Sequence, residues 1–91
     1  MFAGQGEQVT IRFTNNLLDA VVDRFGTKNV VYQEYDSHHF TVTTKIHLSQ
    51  QFFGWIFGFG SQAKILRPPK VKREYAKQLK NLIGMYEYQE R

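Results

Sequence analysis

The sequence predicts an α+β domain in which a four-stranded antiparallel sheet is covered by helices. The expected chain order is β-α-β-β-α-β, followed by a C-terminal helix. Two segments, 9–14 and 40–48, alternate apolar and polar residues as half-buried strands do. Two others, 17–25 and 71–88, repeat apolar residues at helical spacing. The 91 residues suffice for one such domain.

The composition supplies a dense core and excludes several classes of function. Hydrophobic residues make up 42% of the chain and aromatic residues 15%. The absence of cysteine excludes disulfides, thiolate zinc sites, iron–sulfur clusters and cysteine nucleophiles. The longest apolar stretch, 52–59, is far too short to span a bilayer, and the first residues lack a signal-peptide pattern. We therefore expect a cytoplasmic domain with no membrane partner.

Cap and turn residues separate the elements in the first half of the chain. Residues 1–8 show no period, and we expect them to be a flexible lead-in or the cut end of a longer chain. The first strand then begins at Val9. Asn16 is the expected N-cap of the first helix, and Gly26 is expected to end it in a left-handed conformation. The β-branched and aromatic segment 30–35 predicts the second strand.

The second half contains the clearest strand and two further helices. Asp36-Ser37-His38-His39 is a polar break of hairpin length before the long third strand. Ser49 is the expected N-cap of a helix over 50–59 that is apolar nearly all round. The fourth strand, 63–67, is stopped by Pro68-Pro69 before the amphipathic final helix.

This order of elements is the ferredoxin-like arrangement, in which the first and third strands are the central pair. The helices cover one face of such a sheet and leave the other open. Alternation predicts that the open face is polar and basic and carries Thr10, Arg12, Thr41, Thr43, Lys45 and His47.

The net charge of +4 is unevenly distributed along the chain. Residues 1–36 carry −2, whereas 37–91 carry +6, with the basic residues densest over 64–80. Such a cluster is either a solvated helix face or a site for an anionic effector or a nucleic-acid fragment. The ligand-binding candidates lie on the open face and at the junction of the last strand and helix: Arg12, Lys45, His47, Arg67, Lys70 and Arg73.

The number of aromatic residues predicts an interaction surface. The second helix and the stripe on the final helix hold more large apolar groups than one sheet face can cover. The surplus is expected to meet another domain or a second subunit, most simply in a homodimer. The candidates for this interface are Trp55, Phe59, Tyr75 and Tyr86.

No residue pattern indicates catalysis, a metal or a cofactor. His38 and His39 are expected in an exposed turn with only Asp36 nearby. The glycines at 54, 58 and 60 follow no strand and lack the lysine of a phosphate-binding loop. RNA-recognition motifs share the predicted topology, but they stack bases on aromatic residues of the first and third strands. Alternation places none on the open face of those two strands here.

Several short segments, in their order and spacing, carry a resemblance to a known family. They are Val9-Thr10-Ile11-Arg12-Phe13, Phe25-Gly26, Phe40-Thr41-Val42, the segment from Trp55 to Gly60, and Ala63-Lys64-Ile65-Leu66-Arg67-Pro68 before a helix that closes near Tyr86. Over about 9–88 the chain resembles the WCX domain, the C-terminal extension of bacterial WYL-domain transcriptional regulators. The family usually has an Asp-Gly hairpin where this chain has Ser37 after Asp36.

The resemblance implies an effector-sensing and dimerising module with no catalysis of its own. Its partners in such a regulator are a WYL domain and a helix-turn-helix domain of the same chain, and DNA is bound only through the latter. It implies that 9–91 is one domain of a longer protein. The alternatives that remain are a free-standing ferredoxin-like domain that binds a small molecule or regulates a partner, and a weak binder of single-stranded nucleic acid.

Overall fold

The computed structural model describes residues 6–87, which form the predicted elements in the predicted order. The strands are β1 (Glu7–Thr14), β2 (Val31–Asp36), β3 (His39–Ile46) and β4 (Ala63–Arg67). The helices are α1 (Leu18–Phe25), α2 (Gln50–Phe57) and α3 (Pro69–Glu87), with 3₁₀ turns at Asn15–Leu17 and Gly60–Gln62. Residues 1–5 of the predicted lead-in, and Tyr88 at the predicted end of the last helix, lie outside the described residues.

The four strands form one sheet in the order β2-β3-β1-β4, and every neighbouring pair is antiparallel. β1 and β3 are the central pair, which confirms the ferredoxin-like prediction. Their register is unbroken from Glu7 opposite Ile46 to Thr14 opposite His39. Because side chains alternate between faces, this register places Arg12 and Lys45 on the same face of the sheet.

The core lies between the other face of the sheet and the helices. Its buried residues come from β1, β3, β4 and the three helices, with one more just after β3: Val9, Ile11, Phe13, Val21, Phe40, Val42, Ile46, Leu48, Phe52, Phe53, Ile56, Ile65 and Val71. Phe13 is the centre of an aromatic cluster, since its ring centroid is 5.7 Å from Phe40 and 5.9 Å from both Trp55 and Phe59. These contacts join β1, β3 and the α2 region, so they hold sheet and helix layer together.

The start of the chain differs from the prediction at two places. β1 begins at Glu7 rather than Val9, because Glu7 and Gln8 already pair with the end of β3. The prediction that Asn16 caps the first helix is wrong. Asn15–Leu17 form a 3₁₀ turn, α1 begins only at Leu18, and the Asn16 side chain contacts Thr14 and Gln62 instead. Gly26 ends α1 with a φ of 75°, as predicted.

The hairpin between β2 and β3 is held by a side-chain hydrogen bond within the turn and a backbone hydrogen bond from the end of β1. The His38 backbone amide donates to Asp36 Oδ1 at 2.8 Å. The Asn15 backbone amide donates to the His38 carbonyl at 2.9 Å. Among the non-glycine residues described, only Asn29 has a positive φ, so this turn does not use the left-handed geometry that an Asp-Gly pair favours.

The second half follows the prediction with shifted ends. Ser49 caps α2, because its Oγ accepts a hydrogen bond from the Phe52 amide at 3.1 Å. α2 ends at Phe57, earlier than predicted, and a 3₁₀ turn leads into β4. α3 begins at Pro69, where a missing amide hydrogen costs nothing.

Replacement of Phe13 by alanine should destabilise the domain strongly. Phe13 is fully buried, so Phe13→Ala removes its ring contacts and leaves a cavity, at a cost of about 3–5 kcal/mol in the free energy of unfolding. The matched control is Phe57→Ala, because the Phe57 side chain is 60% exposed; its cost should be below about 1 kcal/mol. Urea unfolding followed by circular dichroism measures both values. Equal losses in the two variants would contradict the position assigned to Phe13 in the core.

Candidate functional site

The open face of the sheet is the side that the helices leave uncovered. Cross-strand register assigns its members on all four strands: Thr10 and Arg12 on β1, Val31, Gln33 and Tyr35 on β2, Thr41, Thr43 and Lys45 on β3, and Lys64 and Arg67 on β4. The Thr10 and Thr43 hydroxyls are 2.9 Å apart at its centre. This face thus combines hydroxyl groups with four cations.

Arg12 is the most restrained of these cations. It lies between Thr41 on β3 and Lys64 on β4, directly opposite each. Its guanidinium carbon is 5.6 Å from the centre of the Tyr35 ring, within the range of a cation–π contact. Directly opposed residues have Cβ atoms about 5 Å apart, so Lys64 starts next to Arg12 on the sheet, whereas the Arg12 guanidinium reaches across β3 to Tyr35 on β2.

Tyr35 and Lys64 belong to this face but were not among the candidates that the sequence suggested. Gln33 lies opposite Thr41, so two residues further along the strand Tyr35 follows it onto the open face. The sequence was sufficient to predict that alternation. It was not sufficient to predict the bulge at Tyr35, between Glu34 and Asp36, which brings Tyr35 and Asp36 towards the same side of the sheet.

The hairpin corner of the open face carries an acidic group. His39 Nδ1 donates to Asp36 Oδ1 at 2.8 Å, and the Tyr35 and His39 rings meet edge to face at 6.3 Å. The His38 amide, together with the His39 side chain, lowers the pKa of the Asp36 carboxyl below its ordinary value of 3.8. The carboxylate therefore holds the turn and orients His39 beside Tyr35.

The predicted ligand residues do not all come together. Lys45 lies on the open face opposite Gln8, and Arg67 lies opposite Thr10 beyond a bulge in β4. The predicted third strand ends at Leu48, but β3 ends at Ile46, so His47 lies just after the strand, where it is exposed.

The remaining two ligand candidates lie at the start of α3 rather than on the sheet. Lys70 Nζ forms an ion pair with Glu7 Oε2 at 2.9 Å, which ties the helix to the first residue of β1. Arg73 is exposed on α3. The structure therefore separates an open-face group from a junction group.

Three of the four predicted interface residues are engaged within the domain. Trp55 packs edge to face on Phe25 and Phe59, with the Arg24 guanidinium 5.0 Å from its ring centre. Tyr75 stacks on Phe53 at 5.4 Å, and burial raises the pKa of its phenol. By contrast, Tyr86 is 80% exposed.

An exposed apolar surface does occur beside Tyr86, where the second half of α3 meets α2. It consists of Phe57, Leu82, Ile83, Met85 and Tyr86, each about half exposed or more, and we refer to it as the α3 patch. A groove of about 620 Å³ runs along it between Phe57 and Tyr86. The predicted apolar stripe of the final helix is thus covered at Val71 and open at its far end.

Residues 6–87 contain neither a cluster of metal ligands nor a membrane-spanning helix. Within this range, no three His, Asp or Glu side chains are grouped closely enough to hold a metal ion. Nor does any helix in it combine the length and the apolar character needed to cross a membrane.

The chain matches a known protein family. The family model of the WCX domain matches residues 5–83, which include the whole sheet, α1 and α2 and most of α3. No curated protein sequence matches the chain.

The hairpin makes a testable prediction about the Asp36 pKa. Because the folded-state pKa is lowered, the ionised carboxyl contributes to stability above pH 3.8, and this contribution is lost as the pH falls through the folded-state value. His39→Ala removes one hydrogen bond to the carboxylate, so it should raise the Asp36 pKa part of the way back towards 3.8. His38→Ala is the matched control, since its backbone amide still donates.

Carboxyl carbon shifts followed by NMR across an acid titration measure the Asp36 pKa in each variant. An unchanged Asp36 pKa in His39→Ala would contradict the hydrogen bond between the two side chains.

Proposed function

The chain belongs to the WCX domain family, and from this premise we propose that it is the C-terminal effector-sensing and dimerisation module of a bacterial transcription regulator. WCX domains are regulator-associated domains, and we assign no catalytic step to this one. In the full regulator a helix-turn-helix domain binds DNA and a WYL domain lies between it and this module, so the whole acts in the cytoplasm.

The open face is the proposed effector surface. The observation that carries this assignment is the position of Arg12, which lies opposite Lys64 on β4 and holds its guanidinium against the Tyr35 ring on β2. Arginine binds carboxylate and phosphate groups through paired hydrogen bonds, and the half-buried Thr43 hydroxyl beside Thr10 adds a neutral polar group. An anionic effector with a planar ring fits this combination best.

The α3 patch is the proposed contact with the rest of the regulator. It has five large apolar side chains. Side chains of this kind are enriched in the cores of protein interfaces. Tyr86 is the predicted interface residue that it retains, and Phe57, Leu82, Ile83 and Met85 join it. Seated on a neighbouring domain, the patch would transmit a change at the sheet to the DNA-binding part of the dimer.

An inorganic polyanion tests the effector surface. Pyrophosphate should bind the chain, and Arg12→Ala or Lys64→Ala should each weaken it about three- to ten-fold, as expected for a lost charge-assisted contact on an accessible surface. Lys77→Ala, which removes an exposed lysine from α3, is the matched control for Lys64→Ala. Amide shifts in NMR titrations report both the affinity and the location.

Equal weakening by the open-face and α3 variants would indicate binding to net charge alone and would overturn the assignment.

Single-stranded nucleic acid is a second candidate for the same surface, favoured by Tyr35. The open faces of β1 and β3 carry no phenylalanine, tyrosine or tryptophan, as predicted, but Tyr35 on β2 is 49% exposed beside Arg12. Stacking on one aromatic ring contributes about 1–3 kcal/mol per base. A single stacking position and a few phosphate contacts give weak, salt-dependent binding.

A fluorescent oligothymidine tests this candidate. Affinity should fall steeply with salt, and Tyr35→Ala should weaken binding about five-fold or more without changing the slope, because the ring carries no charge. Tyr86→Ala, which changes an exposed tyrosine far along α3, should leave affinity unchanged. Equal effects of the two variants, or binding insensitive to salt, would exclude a nucleic-acid site around Tyr35.

A further inference from the structure

β2 is an open edge of the sheet. On its inner side it pairs with β3, and among the described residues no strand pairs with its outer side. Of its six residues, all but Tyr32 are exposed. The opposite edge differs, because α3 packs against β4. An open edge presents unpaired amide and carbonyl groups, which natural proteins protect with charged side chains, proline, bulges or a covering element. β2 has a bulge at Tyr35 and acidic residues at Glu34 and Asp36, all towards its C-terminal end, and it contains no lysine or proline.

Two exposed apolar side chains stand on this edge strand at matching positions. Val31 is 52% exposed and Tyr35 is 49% exposed. Both lie on the open face, two residues to either side of Gln33. A strand with this arrangement is self-complementary: turned end for end about Gln33, it places each Val31 opposite a Tyr35.

Charge selects the register. In a continuous antiparallel sheet made from two copies of β2, the residue on the two-fold axis faces itself, so the axis passes through Tyr32, Gln33 or Glu34. An axis at Glu34 opposes two carboxylates directly, which is destabilising. An axis at Tyr32 pairs fewer residues of the strand. An axis at Gln33 pairs five residues, puts Glu34 opposite Tyr32, and forms two valine–tyrosine pairs of the kind that stabilises sheets.

We propose that β2 pairs antiparallel with β2 of a second copy of this chain, with Gln33 on the two-fold axis. The inference rests on the proposed role in dimerisation and assigns it a surface: the β2 edge joins the two copies, which leaves the α3 patch for a neighbouring domain. The bulge at Tyr35 lies at the end of the five-residue segment, so the backbone pairs regularly over 32–34 and Val31 and Tyr35 of the two copies meet through their side chains.

The resulting sheet has eight strands, with the open faces of both copies on the same side. Arg12 and Lys64 of each copy then face the same solvent, and Tyr35 of one copy lies against Val31 of the other at the junction. An effector seated on the open face of one copy would thus lie beside the contact between the copies, which couples binding to dimer geometry.

Single-cysteine variants test the register directly, since the chain has no cysteine of its own. In the proposed dimer the two Gln33 side chains are opposed, within reach of a disulfide after small adjustments. Two Val31 side chains are four residues apart along the strands, about 14 Å. In a glutathione buffer, Gln33→Cys should form a covalent dimer at least about ten-fold faster than Val31→Cys, because pairing raises the effective thiol concentration.

Two further variants complete the design. Val31→Cys combined with Tyr35→Cys should cross-link about as fast as Gln33→Cys, because those residues oppose each other in the same register. Gln51→Cys, at an exposed glutamine on α2, gives the rate for random collision. Cross-linking of Gln33→Cys no faster than Gln51→Cys overturns the proposal, as does Val31→Cys cross-linking as fast as Gln33→Cys.

Sedimentation separates this surface from dimerisation itself. Gln33→Lys opposes two cations on the axis and should lower the association constant of the chain at least about ten-fold, whereas Gln51→Lys should not change it. A dimer that persists in Gln33→Lys but is lost in Ile83→Lys places the contact at the α3 patch. That result would support dimerisation but overturn the proposed β2 contact. If the wild-type chain does not self-associate and Gln33→Cys does not cross-link, both dimerisation and the β2 contact are overturned.

Discussion

Eight consecutive residue pairs join β1 to β3, and nearly every other feature of the domain depends on this ladder. With a side-chain period of two, it sends Ile11 and Phe13 into the core and places Thr10 and Arg12 on the opposite face of the sheet. A slip of one residue would bury a guanidinium and expose a phenylalanine. The hydroxyl contact between Thr10 and Thr43 holds the same register from the open side. The core and the cationic surface are therefore two consequences of one pairing.

Some aromatic residues pack in the core, and others are exposed on the surface. Trp55 and Phe59 were candidates for an interface because α2 has more large side chains than one sheet face can cover. In the structure they close over Phe13 and Phe25, and Arg24 covers part of the indole. Helical periodicity predicts which side chains share a face, but not how many of them can be buried against one another in an aromatic cluster. The apolar side chains that remain exposed lie further along the chain, on the last two turns of α3.

Much of the architecture could be predicted from the sequence, and less of the site. The alternation of β1 and β3 was sufficient for the sheet order, and Ser49 for the start of α2. Asn16 failed as a cap because Asn15 bonds the hairpin and a 3₁₀ turn precedes α1. Arg12 and Lys45 were found because alternation decides which face they take. Tyr35 was not predicted because the composition of β2 indicates a strand but not the face that each residue takes. The ion pair of Lys70 was not predicted because its partner, Glu7, is distant in sequence.

α3 has 19 residues and is therefore about 28 Å long, more than half of the 49 Å longest dimension of the domain. It is fastened over its first two turns, by Val71 in the core, by the stacking of Tyr75 on Phe53 and by the ion pair from Lys70 to the first strand. A rod held at one end behaves as a lever. A rotation of a few degrees at the fastened turn, too small to disturb the hydrogen bonds there, displaces the far tip by several times the movement at its pivot.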